Sequence, residues 1–164
     1  MQHATCETNW AHRLSSCSPV RRTIFSPIAE QAIEPAAQMA QDSEATLILV
    51  HVMEARPPKP DPKAGHYKAA KAIYETDQEQ EAKHLAELEE RLKRYEGLAW
   101  KAVIGRGEAI STILSIANKE QADLLVISSS GRTGFKRLLL GSVAEELARS
   151  SPKPVLIWKA PPPA

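Results

Sequence analysis

Cysteine is nearly missing from this 164-residue chain: only Cys6 and Cys17 occur, both near the amino end. Two cysteines allow one disulfide at most, not the framework of a small secreted scaffold, so a reduced, cytoplasmic protein is expected. Charge of one sign is missing too. The formal net charge of +1 removes any electrostatic argument for nucleic acid or an anionic membrane as partner. No stretch approaches the roughly 18 consecutive apolar residues of a membrane span, and Met1 to Arg22 has no apolar core of the kind a signal peptide needs. Aromatic residues supply only 5% of the chain. The five histidines, His3, His12, His51, His66 and His84, show no metal-ligand spacing, and there is no CxxC pair. Metal binding by protein side chains alone is therefore not expected. No GxSxG elbow is present, and the serines at 128 to 130 have no identifiable base, so a hydrolase triad has no support.

What is present fits one α/β domain with a sizeable core. Ala45 to Val52, ATLILVHV, and Leu124 to Ile127 are unbroken apolar runs, the pattern of strands covered on both faces. Ile28 to Gln41 has a helical apolar period containing Pro35, which would weaken the helix if truly interior. Met53 to Lys68 is a proline-rich loop, and Tyr67 to Glu96 a long charged helix. Leu85, Leu88, Leu92 and Tyr95 form that helix's apolar stripe, the charge run over 78–94 reads as a solvated face, and Gly97 reads as the C-cap. Ala99 to Ile104 is a strand nearer a sheet edge, Gly105 and Gly107 turn the chain, and Glu108 to Asn118 is a helix with Ile110, Ile113, Leu114 and Ala117 inward. Val155 to Trp158 is a last strand, after Pro152 and Pro154. Strand and helix in alternation predict a parallel sheet with right-handed crossovers and helices on both faces. Residues 1–18 have no clear period and read as an extension, 19–160 as the domain, and 161–164 as a proline-rich tail.

The chemistry-bearing stretch is Ala122 to Lys159, ADLLVISSSGRTGFKRLLLGSVAEELARSSPKPVLIWK. A buried strand runs into a loop of small residues and then a helix start, where Ser142-Val143-Ala144-Glu145 reads as a capping box with Ser142 as N-cap. Small residues let backbone N–H groups approach an anion, and a helix N-terminus favours negative charge. Ligands of open parallel sheets sit at strand carboxyl ends, and this loop is at one. Taken alone, Gly131 and Gly134 read equally as ordinary turn glycines, and Arg132, Lys136 and Arg137 either neutralise phosphates or line a solvated loop.

This stretch resembles the C-terminal signature of the universal stress protein family. Nine residues separate Gly131 from Gly141, Ser142 follows, and the RLLLGSVAE block and PKPVLI strand agree. The resemblance extends more loosely through ATLILVHV to FSPIAEQAI. It implies a Rossmann-like three-layer sandwich with a five-stranded parallel sheet in the order 3-2-1-4-5. It further implies ATP or a related adenine nucleotide, with Mg2+, held by Val52, Ser128, Gly131, Arg132, Gly134, Gly141, Ser142 and Val143. A homodimer through Val155, Leu156, Ile157 and Trp158 is also implied, with Trp158 in either core or interface. Hydrolysis would be slow at most, since no residue clearly activates water. Two positions depart from the family pattern. Ser128 stands where the first signature glycine belongs, and its side chain either crowds the ligand or donates a hydrogen bond. Ile24 stands where an aspartate closes the first strand, and that strand, Pro19 to Thr23, carries two arginines where a central strand should be apolar. The alternative reading is a family member that has lost nucleotide binding and acts only through protein–protein contacts.

Overall fold

The computed structural model describes residues 22–25, by backbone and strand pairing, together with 32–129 and 141–159. In chain order the elements are β1 (Arg22–Phe25), α1 (Ile33–Asp42), β2 (Thr46–Met53), α2 (Tyr67–Lys93), β3 (Trp100–Arg106), α3 (Ala109–Lys119), β4 (Leu124–Ser128), α4 (Ser142–Ser150) and β5 (Val155–Trp158). The strands form one parallel sheet in the order β3-β2-β1-β4-β5.

Both apolar runs are explained by burial on two faces. Leu47 and Leu49 of β2 join Val126 of β4 in a core closed by α1 and α2, through Ile33, Ala36, Ala37, Ala40, Leu88 and Leu92. Ile48 and Val50, with Leu125 and Ile127, point the other way, into a core closed by Ile113 and Ala117 of α3 and Ala144 and Leu147 of α4. Alternate residues therefore serve opposite layers, and from Leu47 to Val50 no position is left for a polar side chain. Alanines on α1 let that helix lie close to the sheet.

The first strand differs from expectation. It runs Arg22–Phe25 rather than Pro19 to Thr23, a shift that places Ile24 between Ile48 and Leu125, and Phe25 between Leu49 and Val126. The apolar half of the segment is thus paired at the middle of the sheet, and Arg22 is at the amino end of the strand, opposite Thr46. Ile24 is thus inside the strand.

Other boundaries move for local reasons. Pro35 is the third residue of α1, in the first turn, where its missing N–H has no intrahelical partner to lose. α2 ends at Lys93, and Gly97, with φ +75°, closes the turn that follows rather than the helix itself. Gly105 lies inside β3, paired with Val52, and does not turn the chain. A Cβ there would stand 2.5 Å from Thr112 Cγ2 and 2.9 Å from Ile116 Cδ1, so it is the close packing of α3 that requires glycine. α1 and α3 end in the same turn. Glu44 and Gln121 each take φ 51°. Ala45 N–H returns to the Ala40 carbonyl, and Ala122 N–H to the Ala117 carbonyl, each at 2.8 Å, which is the Schellman pattern without its usual glycine.

Candidate functional site

In this strand order β1 lies between β2 and β4, and the chain leaves it on both sides, which makes its carboxyl end the switch point where open parallel sheets hold ligands. Val52 and Ser128 lie at the carboxyl ends of the two flanking strands. Val52 and Val143 are half-buried against the same core, the one under α3 and α4. Ser128, 8% exposed, alternates onto the opposite face with Val126. Its backbone continues the ladder past the strand end, Ser129 N–H donating to the Trp158 carbonyl at 2.9 Å. Gly131, Arg132 and Gly134 lie outside the described residues, as do Lys136 and Arg137.

At the start of α4 the N-cap is Gly141, extended at φ −61°, ψ 145°, with no side-chain cap. Ser142 is the first helical residue rather than the N-cap. The helix begins one residue early because the Gly141 carbonyl already accepts the Glu145 N–H at 2.9 Å. Glu145 then falls one place too late to close a capping box, and its carboxylate pairs with Arg149 at 3.2 Å instead. The result suits an anion better than the capping box would: the Ser142 hydroxyl is not spent on a cap, and Gly141 presents no Cβ.

The start of α3 is the opposite case. Gly107, at φ +115°, donates its N–H to the Met53 carbonyl at 3.0 Å and so joins the ends of β2 and β3. Glu108 then caps α3 with its own carboxylate, accepting from Ile110 N–H at 2.9 Å and Ser111 N–H at 2.8 Å. Those backbone bonds hold its pKa below the usual glutamate value. The anion position at this helix is filled from within the chain.

A charged cluster beyond β3 was not anticipated from the sequence. Arg106, the last residue of β3, donates to Asp77 at 2.7 Å and to Glu81 at 2.5 Å, both on α2. Arg56, in the loop after β2, also engages Glu81 and lies 3.8 Å from Asp77. The hydrogen bond to Asp77 raises the pKa of Arg106, and the hydrogen bond from Arg106 lowers that of Glu81. Two cations and two carboxylates balance, so the cluster clamps the proline-rich loop and α2 to the rim of the sheet without adding net charge. Glu81 had been read as part of a solvated face. The signal for it was two carboxylates four residues apart on one helix face, with an arginine closing a neighbouring strand.

The universal stress protein family profile matches residues 23–159. The chain belongs to the universal stress protein family. Universal stress protein MJ0577 of Methanocaldococcus jannaschii is 29% identical over 147 residues, covering 84% of this chain and 91% of that protein. Its solved structure superposes with a TM-score of 0.67 at 23% identity, covering 88% of this chain and 99% of that one. A universal stress protein solved in complex with cAMP is 25% identical with a TM-score of 0.58, over 88% of this chain and all of that one. The Archaeoglobus fulgidus universal stress protein solved in complex with dAMP shares the fold, at TM-score 0.58 and 18% identity, over 85% of this chain and 98% of that one. Among the described residues of this family member, no helix is long and apolar enough to cross a membrane.

Proposed function

We propose that this chain binds an adenine nucleotide at the carboxyl edge of β1, β2 and β4, as a regulatory ligand. The observation that carries the reading is the start of α4, the helix that follows β4: an extended glycine, no side-chain cap, and a Ser142 hydroxyl without a hydrogen-bond partner among the described residues. Backbone N–H groups there suit phosphate oxygens. Val52 and Val143, on one face of the edge, offer an apolar wall for a base. The solved relatives with cAMP and dAMP support the ligand class. The finer assignment is ATP with Mg2+, with Ser128, Gly131, Arg132, Gly134, Gly141 and Ser142 around the phosphates. Among the described residues no group of three His, Cys, Asp or Glu gathers to hold a metal, so the magnesium would come with the triphosphate, with Ser142 as its neighbouring protein hydroxyl. A ligand of this kind regulates by binding one conformation more tightly than another.

Isothermal titration with Mg-ATP tests the reading, run beside the double variant Gly131→Val, Ser142→Ala. The parent is expected to bind, and the variant to bind at least about tenfold more weakly, the loss of one good charge-assisted contact. No heat from the parent at millimolar nucleotide would sink the nucleotide reading. Unchanged affinity in the variant would sink the residue assignment. The first outcome would leave the second reading, an interaction protein without a nucleotide. Ile24 favours it, an apolar residue paired inside β1 where the family resemblance places a carboxylate.

The proposal includes a cytoplasmic homodimer. β5 is an edge strand, and Val155, Leu156, Ile157 and Trp158 are each only half-buried. Leu156 and Trp158 pack against one core, and Val155 and Ile157 against the other. An apolar edge with unpaired backbone groups is stabilised by a second copy of itself. Sedimentation equilibrium is expected to give a dimer at micromolar concentration, and Ile157→Lys a monomer. A parent that stays monomeric at 100-fold higher concentration would count against it.

A further inference from the structure

His51, next to Val52 on β2, stacks against His84 on α2, with ring centroids 4.5 Å apart and planes inclined by 33°. His51 is half-buried, and His84 keeps 36% of its side chain exposed. Around the pair, α2 contributes Glu87, whose carboxylate lies 3.5 Å from His84 Nδ1, and Arg91, whose charge also acts on His51. On β3 the residue paired with His51 is Ile104, and the nearest ionised side chain of that strand, Arg106, is engaged by Asp77 and Glu81. On α1, Glu34 accepts from the Tyr95 phenol at 3.0 Å. Among the described residues, Glu87 thus lies against the outer ring and also acts on the inner one, where Arg91 opposes it.

We propose that His51, stacked on His84, is a proton-sensitive latch, which holds α2 on the sheet while the His51 ring is neutral and loosens it when that ring is charged. A proton on His51 meets a desolvated setting and the His84 ring first, and only then the smaller attraction of the Glu87 carboxylate and the repulsion of Arg91. Desolvation first, then the charge of His84, keeps the pKa of His51 below its ordinary 6.5. In the unfolded chain it titrates near 6.5, so just below that pH the unfolded state takes up more protons and native stability falls as the solution is acidified. The effect is local. Leu88 and Leu92, the buried residues of α2, lie on the carboxyl side of His84, and Glu81, held by Arg106, lies on its amino side, so the turn between Glu81 and Leu88 is the one the latch controls. Val52 adjoins His51, so loosening also reaches the strand end where the candidate site lies. The latch itself does not depend on the nucleotide reading.

Hydrogen exchange on the full chain between pH 7.5 and 5.5, corrected for intrinsic rates, tests this. Amides of residues 80–87 are expected to lose about tenfold in protection. His84→Gln is expected to remove most of that dependence, as is His51→Gln. A parent profile independent of pH, or one that His84→Gln leaves unchanged, overturns the proposal. Should His51→Gln fail to fold, NMR titration of both imidazoles in the parent replaces it. Titration of His51 below 6.5, shifted upward in His84→Gln, supports the latch; two independent titrations near 6.5 refute it.

Discussion

Leu92→Ala is expected to lower the unfolding free energy by about 3 kcal/mol, within the span seen for leucine truncation in close-packed cores. Leu92 is fully buried, and with Leu88 it makes the buried apolar contact of a 27-residue helix that is otherwise exposed or half-buried. Its neighbours, Leu47, Leu49 and the α1 alanines, belong to the sheet and to a helix already packed close, so they have little freedom to move into the vacated volume. Urea unfolding followed by circular dichroism measures the loss. Ile73→Ala on the same helix is the control: Ile73 is 61% exposed, and its truncation is expected to change stability by less than about 0.5 kcal/mol. A loss below about 1 kcal/mol for Leu92→Ala would mean that α2 is not seated as described.

Gly105→Ala comes second, with an expected loss of about 2 kcal/mol, the ordinary cost of overpacking. The new methyl would meet Thr112 Cγ2 at 2.5 Å and Ile116 Cδ1 at 2.9 Å. Ile116 can give by turning its terminal methyl. Thr112 cannot, because its hydroxyl is tied to the Arg106 carbonyl at 3.2 Å. Thr112→Ser removes the offending methyl and keeps that hydrogen bond, so the double variant is expected to recover about half of the loss. Strict additivity in this cycle would show that the two positions are not in contact. The same substitution bears on the candidate site. Val52 Cγ2 lies 3.5 Å from the position of the new methyl, and a shift of α3 away from β3 would move the apolar wall that Val52 contributes.

The parts of the fold legible from sequence are those buried on two faces. LILV at 47–50 and LLVI have no polar interruption because each successive side chain enters one core or the other. β1 was misplaced because only two of its four residues are apolar, and its identity comes from the strands on either side. Gly105 was misread because glycine marks both turns and close approaches, and the helix that requires it here lies in the next element. The Arg106 cluster joins residues more than twenty positions apart, beyond the reach of any local pattern. At the candidate site, Val52 and Val143 do share one face, and Ser128 faces the other. The capping-box reading of Ser142 missed by one residue, because a backbone carbonyl did what a side chain was expected to do. Gly131, Arg132 and Gly134 rest on family resemblance alone.

The central position of β1 has a consequence for synthesis. Thr23 meets Leu47 on one side and Leu124 on the other, so its first partner leaves the ribosome early and its second only after most of the chain has been made. At ordinary elongation rates the interval is on the order of ten seconds. Throughout it, the nascent β1–β2 pair carries an open edge flanked by the apolar run Leu47–Val50, with the core under α3 and α4 still missing. Unpaired apolar edges recruit other chains. The hazard for this fold therefore falls during translation, when adjacent ribosomes on one message hold identical half-built sheets side by side.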